Sequence, residues 1–366
     1  MDFEKRAHPH DSPIAIVAIT RNGVRVAMQV QGKLSGSVAY VPERHGFALA
    51  MGAVGFHRIG NLFPEIWRRH RALICIMATG IVVRLIAPLL RHKTADPAVV
   101  VLDERAQYVI SLVSGHLGGA NALARRVAAL TGGQAVITTA SDVDHKPALD
   151  LVALELGLEI ENPGMLGRLA RAILEEEPFW VFDPEGFLRP HVATLKNVMR
   201  LELPQASEGS GGWPSLEGRP GVWVSELVPP SHLECLMLRP RNLILGVGCN
   251  RGTEAREILR LITGTLDEAG LSVHSIRNLA SIDLKSDEPG LLEAARTLSR
   301  PVHFYPRGKL EGVTVPNPSP LVESHVGVQS VCEATALLSA ESTSLLVTKR
   351  KTANVTLAIA RVASPS

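Results

Sequence analysis

Long apolar runs are missing from this chain. No window approaches the ~20 residues that span a bilayer. The first twelve residues, with three acids and Pro9, have no apolar stretch of the kind a secretion signal carries. Cysteine is scarce: Cys75, Cys235, Cys249 and Cys332 are scattered with no CxxC pair. That argues against a disulfide framework or a structural zinc site and for reduced thiols. Aromatics make up 4% of residues, and no Lys/Arg run is interleaved with them. With 38 basic and 36 acidic residues the net charge is +2, so nucleic acid is not an expected partner. P-loop, nucleophile-elbow, HExxH and clustered metal-ligand patterns are absent, so covalent catalysis is not suggested. No repeat shows at solenoid periods. The expectation is a cytoplasmic protein with no membrane segment and no metal site of its own.

What the chain has is an ordinary globular composition, 46% hydrophobic and 20% charged over 366 residues, enough for two or three domains. Residues 14–20 (IAIVAIT), 73–78 and 98–102 are continuous apolar runs, as in strands buried on both faces. Between them lie an amphipathic stretch ending near Gly32, a short strand at 37–41 and a helix at 60–70. A strand at 108–113 breaks at Ser114-Gly115-His116. Gly118-Gly119-Ala120-Asn121 then opens a helix that Gly132-Gly133 stops, and 135–139 is one more strand. Strands alternating with helices predict an α/β fold with a doubly wound, mostly parallel sheet over residues 1–150. In such sheets ligands collect at the carboxyl ends of strands. Thr79-Gly80, Ser114-Gly115-His116 and the turn from Thr139 to Asp142 all end predicted strands and are expected to face one edge.

Residues 151–240 read as a small α+β central region, with strands at 179–182 and 222–225 and a flexible Gly/Ser-rich loop beginning at Pro204. Residues 241–366 read as a second α/β domain. Gly246, Gly248 and Gly252 follow its first strand, one residue off the dinucleotide fingerprint, and Thr253 is placed to cap the helix after them. Strands are expected at 272–276, 302–305, 345–348 and 355–360, and helices at 290–298 and 326–338.

The candidate chemistry lies in the strand-end loops. A helix start after a glycine turn aims backbone N–H groups at an anion, and such donors also suit a developing oxyanion. His116 is the candidate proton-transfer group, because an imidazole exchanges protons near neutral pH, and Asp142 is its candidate catalytic partner. Candidate binding residues are Thr79, Gly80, Arg84, Lys93, Ser114, Gly115, Gly118, Gly119, Asn121 and Thr139, with Gly248, Arg251 and Glu333 in the last domain. Asp96 adds another carboxylate. Each has a plain alternative. The glycines serve close packing, Arg84 faces solvent, Asp142 caps a turn, and Glu333, inside an apolar run, has a structural partner. Cys249 is a small residue rather than a nucleophile.

Several long motifs occur in order: MATGIVVR (77–84), KTADPAVVVLD (93–103), SLVSGHLGGAN (111–121) and VITTASD (136–142). They closely resemble the N-terminal domain of the CbiG family of cobalamin-biosynthesis proteins. GVGCNRGT (246–253), LASIDLK (279–285), GLL (290–292) and VGVQSVCEA (326–334) resemble that family's C-terminal domain, itself similar to CobE. The segment of about 150–238 corresponds to its variable central region. The resemblance implies a cobalt-precorrin-5A hydrolase that opens the δ-lactone of a ring-contracted cobalt-corrinoid and releases acetaldehyde. It implies no protein-bound cofactor, since cobalt arrives in the substrate, and transient contact with pathway methyltransferases. Oligomeric state stays open. Two alternatives remain: a non-catalytic corrinoid-binding carrier, and an NADP-dependent oxidoreductase with Arg277 meeting a 2′-phosphate.

Overall fold

The computed structural model describes residues 14–92, 95–116, 118–140, 146–202, 216, 218–318 and 329–362. Its contacts divide the chain into two compact units, 1–151 and 152–366. The first unit holds a seven-stranded sheet and the second holds two five-stranded sheets.

In the first unit the strands are β1 (Ile14–Ala18), β2 (Ser37–Pro42), β3 (Val54–Phe56), β4 (Ala72–Ile76), β5 (Ala98–Leu102), β6 (Tyr108–Val113) and β7 (Gln134–Val136). They lie in the order β3-β2-β1-β4-β5-β6-β7. β1, β4 and β5 are buried along their whole length, the pattern expected of strands covered on both faces. Alternate side chains enter two cores. Ile14 and Ile16 meet Val24, Ala27 and Val30 of α1 (Arg21–Lys33). Ala15 and Val17 share the other core with Leu62, Phe63 and Ile66, which belong to the helix of Ile59–Arg69. The sheet is therefore doubly wound, as expected.

One pairing departs from the parallel scheme. β4 runs parallel to β5, with Ile76 beside Leu102, whereas β5 and β6 are antiparallel, with Leu102 beside Val109 and Val99 beside Val113. The connection between them is only five residues. The Asp103 carboxylate closes it by accepting the amides of Arg105 (2.8 Å) and Tyr108 (2.7 Å). A parallel neighbour needs a crossover of about a dozen residues or more, so this link permits only a hairpin. The helix Ala120–Thr131 then supplies such a crossover, and β7 lies parallel to β6.

The middle sheet has the order β10-β9-β11-β12-β8, from β8 (Glu159–Ile160), β9 (Phe179–Phe182), β10 (Val198–Leu201), β11 (Gly221–Val224) and β12 (Cys235–Arg239). All its pairs are parallel except β12 with β8. The last sheet has the order β15-β14-β13-β17-β16, from β13 (Leu243–Cys249), β14 (Ile276–Ile282), β15 (Val302–Tyr305), β16 (Leu345–Lys351) and β17 (Val355–Arg361). β17 pairs antiparallel with both β13 and β16. The stretch expected as a strand at 272–276 is instead a short 3-10 turn, Val273–Ser275, leading into β14.

Candidate functional site

The β5–β6 reversal separates the loops expected to meet. Thr79 and Gly80 follow β4, at the carboxyl edge of β1, β2, β4 and β5. Ser114 to His116 follow β6, whose carboxyl end lies beside the start of β5. Thr139 follows β7 on that same second edge. The expectation of three turns on one edge is corrected: two share an edge, and a strand's length, on the order of 15 Å, divides them from the third.

On the second edge the loop folds tightly upon itself. Ser114 has φ +59°, in the left-handed region, and Gly119 has φ +90°. A Cβ on Gly118 would sit 2.2 Å from the Ser114 Cβ and 2.5 Å from its carbonyl oxygen, so no side chain fits there. The Gly119 amide donates to the His116 carbonyl (2.8 Å), Ala120 to Ser114 (3.1 Å) and Asn121 to Gly115 (3.0 Å). These are the donors expected to face an anion. The loop consumes these three itself.

Asn121 is likewise spent on structure. It is buried at 4% exposure. Its Oδ1 accepts from Ser111 Oγ at 2.6 Å, and its Nδ2 donates to Thr139 Oγ1 at 3.2 Å. It ties β6, the helix and the segment after β7 together and so braces the loop. Thr139 and Ser111 are its partners, and in the sequence Ser111 reads only as one more strand residue. Ser114 Oγ donates to the Asp96 carbonyl (3.0 Å), and the Asp96 carboxylate accepts the Arg91 amide (3.0 and 3.1 Å). What the loop carries at its tip is half-buried His116. Lys93 and Asp142 lie outside the described residues.

The first edge has its own character. The order β3-β2-β1-β4-β5 places the switch in winding direction between β1 and β4, where open α/β sheets form their crevice. Thr20, which caps α1 by accepting the Gly23 amide (3.1 Å), ends the β1 side, and Thr79 and Gly80 end the β4 side. Arg44 reaches in after β2 to donate to the Ile19 carbonyl (2.7 Å). Arg84 is exposed and folds back on its own helix to the Gly80 carbonyl (3.0 Å). Only the strand order, not any motif, could have pointed to Thr20 and Arg44.

In the second unit the glycine loop is packed and bonded. A Cβ on Gly246 would lie 1.8 Å from the Cys332 carbonyl oxygen, so the helix Val331–Ala340 rests directly on that strand. Gly248 faces Thr356 of β17. The Asn250 amide donates to the Asn354 carbonyl (2.9 Å) and the Gly252 amide to Glu288 Oε1 (2.8 Å). Thr253 does not cap the next helix; its hydroxyl donates to the Asn250 carbonyl (2.8 Å). Arg251 pairs with Asp287 (2.7 Å) and the Leu284 carbonyl (3.0 Å), and this partner holds the Asp287 carboxyl below its usual range. Burial raises the Cys249 thiol, the opposite of nucleophile activation. Glu333 is fully buried and accepts the Asn317 amide and side chain (3.0 and 2.8 Å) and the Lys349 amide (3.0 Å). Among the described residues Glu333 is served by N–H donors and not by an ion pair, which gives it a structural role.

The same geometry removes the dinucleotide alternative. Arg277 lies at the start of β14, and the register pairs that end with Leu243, the far end of β13 from the glycine loop. A 2′-phosphate on that loop lies out of its reach.

The comparisons with known proteins span the chain. A family described as "Cobalamin synthesis G N-terminal" matches residues 61–142, "Cobalamin biosynthesis central region" matches 147–240, and "Cobalamin synthesis G C-terminus" matches 243–360. The cobalt-precorrin-5A hydrolase of Priestia megaterium is 32% identical over 369 residues, covering 95% of this chain and 94% of its own. That of Salmonella typhimurium is 30% identical over 361 residues, covering 95% and 97%. The protein CobE of a Sinorhizobium species is 36% identical over 121 residues, 32% of this chain and 79% of its own.

Proposed function

Because this chain belongs to the CbiG family of cobalamin-biosynthesis proteins, we propose that it is a cobalt-precorrin-5A hydrolase. The observation that carries this reading is likeness along the whole length: two hydrolases, 32% and 30% identical, each covered over more than nine-tenths of their sequence. A carrier resembling only the last domain would leave the first 240 residues without a purpose.

The reaction proposed is opening of the δ-lactone and expulsion of a two-carbon fragment. Water adds to the lactone carbonyl and the ring C–O bond breaks, leaving a carboxylate and an alcohol. The alcohol loses its proton, the adjacent C–C bond breaks, and acetaldehyde leaves. The bonding pair passes to the macrocycle, which takes up a proton. Cobalt enters as part of the substrate. The chain's part is to move protons at the water and at the alcohol, and His116 is our assignment for that role.

Three features support His116. It stands at the tip of a loop whose backbone bonds are satisfied internally, so the imidazole is presented on a stiff support. Ser114 is held at a positive φ, the kind of local strain that persists where surrounding structure enforces it. Buried Asn121 braces the loop from beneath. Asp142, in the VITTASD motif, is the second candidate.

Incubating the purified protein with cobalt-precorrin-5A under anoxic conditions and trapping acetaldehyde tests the activity; no acetaldehyde and an intact lactone would end this reading. For the residue, His116→Ala is expected to lower kcat by about 10²–10⁴-fold, with KM little changed. An unchanged kcat at saturating substrate removes His116 from the mechanism.

A further inference from the structure

The middle sheet is parallel across β10, β9, β11 and β12, so β9 and β10 end side by side, with Leu201 next to Phe182. A cavity of about 300 Å³ lies at those ends. Its lining includes apolar Val181, Phe182, Val192 and Leu201 and the two cations Arg189 and Arg200. The position of Arg189 is set by Asp183, whose carboxylate accepts the amides of Phe187 (3.0 Å) and Leu188 (2.7 Å) and so curls the turn back over the sheet end. Buried Leu188 and Val192 pin that turn. The Asp183 carboxylate takes these backbone donors and also interacts electrostatically with Arg189, and Glu202 is the other acid on the lining. Glu185, close by in sequence, pairs with Arg361. Among the described residues neither the Arg189 nor the Arg200 guanidinium donates a hydrogen bond or comes within ion-pair distance of a carboxylate, and Arg189 acts on Asp183 only as a nearby charge.

Solvated arginines are common on surfaces. Two whose guanidinium groups make no hydrogen bond, lining one cavity at the carboxyl edge of a parallel sheet, lie where such sheets take ligands. A guanidinium fork matches a carboxylate bidentately, and it tolerates partial desolvation better than an ammonium. The volume equals about ten waters at ~30 Å³ each, room for an acyl chain with its carboxylate but not for a tetrapyrrole ring. We propose that this cavity binds an organic carboxylate, with Arg189 and Arg200 holding the acid group and the Val181/Leu201 wall covering its carbon chain. The carboxylate is either a free small acid or an acidic side arm of the macrocyclic substrate; the second source rests on the hydrolase reading above.

Calorimetric titration of the full-length protein with tricarballylate, and separately with inorganic phosphate, tests the site without any turnover. Saturable binding of tricarballylate, weakened at least tenfold in Arg189→Gln/Arg200→Gln with an unchanged melting temperature, is the expected result. No saturable binding, an affinity unchanged in the double variant, or phosphate binding as tightly as tricarballylate would overturn the proposal. The Lys/Lys double variant, which keeps the charges and loses the forks, should fall between. A KM for cobalt-precorrin-5A raised in the Gln/Gln variant at constant kcat identifies the ligand as a substrate arm, and an unchanged KM identifies it as a free acid. Should the chain release no acetaldehyde at all, the titration still decides this site by itself.

Discussion

Asn121 carries more structure per atom than any other residue of the candidate site. Its amide joins Ser111 and Thr139 beneath the His116 loop from a position almost closed to water. Truncation to Ala strands two hydroxyl partners, and a buried group left unsatisfied costs about 1–3 kcal/mol. We expect Asn121→Ala to lower the urea midpoint accordingly and to depress kcat with it; an unshifted midpoint would show the network to be dispensable. Asn in a glycine-rich turn reads equally as a ligand or a brace in sequence, because only the strands brought beside it decide where its hydrogen bonds go. The thiols follow the same logic. Burial pushes Cys75 up to about 12 and Cys235 to about 11, and raises Cys332 as well. Native protein at neutral pH should therefore alkylate slowly, and rapid modification of Cys75 before unfolding would contradict its placement in the core.

At the scale of elements, two short segments decide most of the layout. The hairpin of β5 and β6 turns two of the three candidate loops to the opposite edge, an effect of five residues closed by Asp103. Its length was legible in the sequence, and a five-residue link already forbids a parallel partner. The apolar pattern of neighbouring strands carries no information about their direction. The second segment is β8, where Glu159 meets Arg241 (2.8 Å), Arg300 (2.8 Å) and His274 (2.6 Å), and Glu161 meets fully buried Arg239 (2.5 Å). Nothing in the periodicity announces this network, since its partners are 78 to 141 residues apart. Burial raises the Glu159 carboxyl, but the bonds to His274, Arg241 and Arg300 outweigh it and the net shift is downward. A depressed carboxyl contributes stability above its unfolded value, near pH ~4.3, and that contribution is lost as pH falls through the lower folded value. The urea midpoint should drop across that acidic window and change little above it from this group. Glu159→Gln should flatten that part of the profile; an unaltered slope would assign the acid sensitivity elsewhere.

For the whole molecule, charge is nearly balanced, 38 basic against 36 acidic residues, so no global field draws in a polyanion. Recognition of a carboxylate-rich substrate then depends on local arginines, and such exposed contacts are screened beyond about 8–10 Å at ordinary ionic strength. KM for cobalt-precorrin-5A should rise with added salt while kcat holds. A kcat that falls in parallel would place the salt-sensitive charges in the chemical step. The sequence by itself determined the buried strands, the doubly wound α/β class of the first sheet and the family, because apolar runs and long ordered motifs are local properties of the chain. Tertiary structure alone decided which strand ends share an edge, that Gly119, Ala120 and Asn121 spend their amides inside their own loop, and that Glu333 is held by Asn317 and Lys349. Strand direction and the allotment of hydrogen bonds depend on partners distant in sequence, and no local pattern records them.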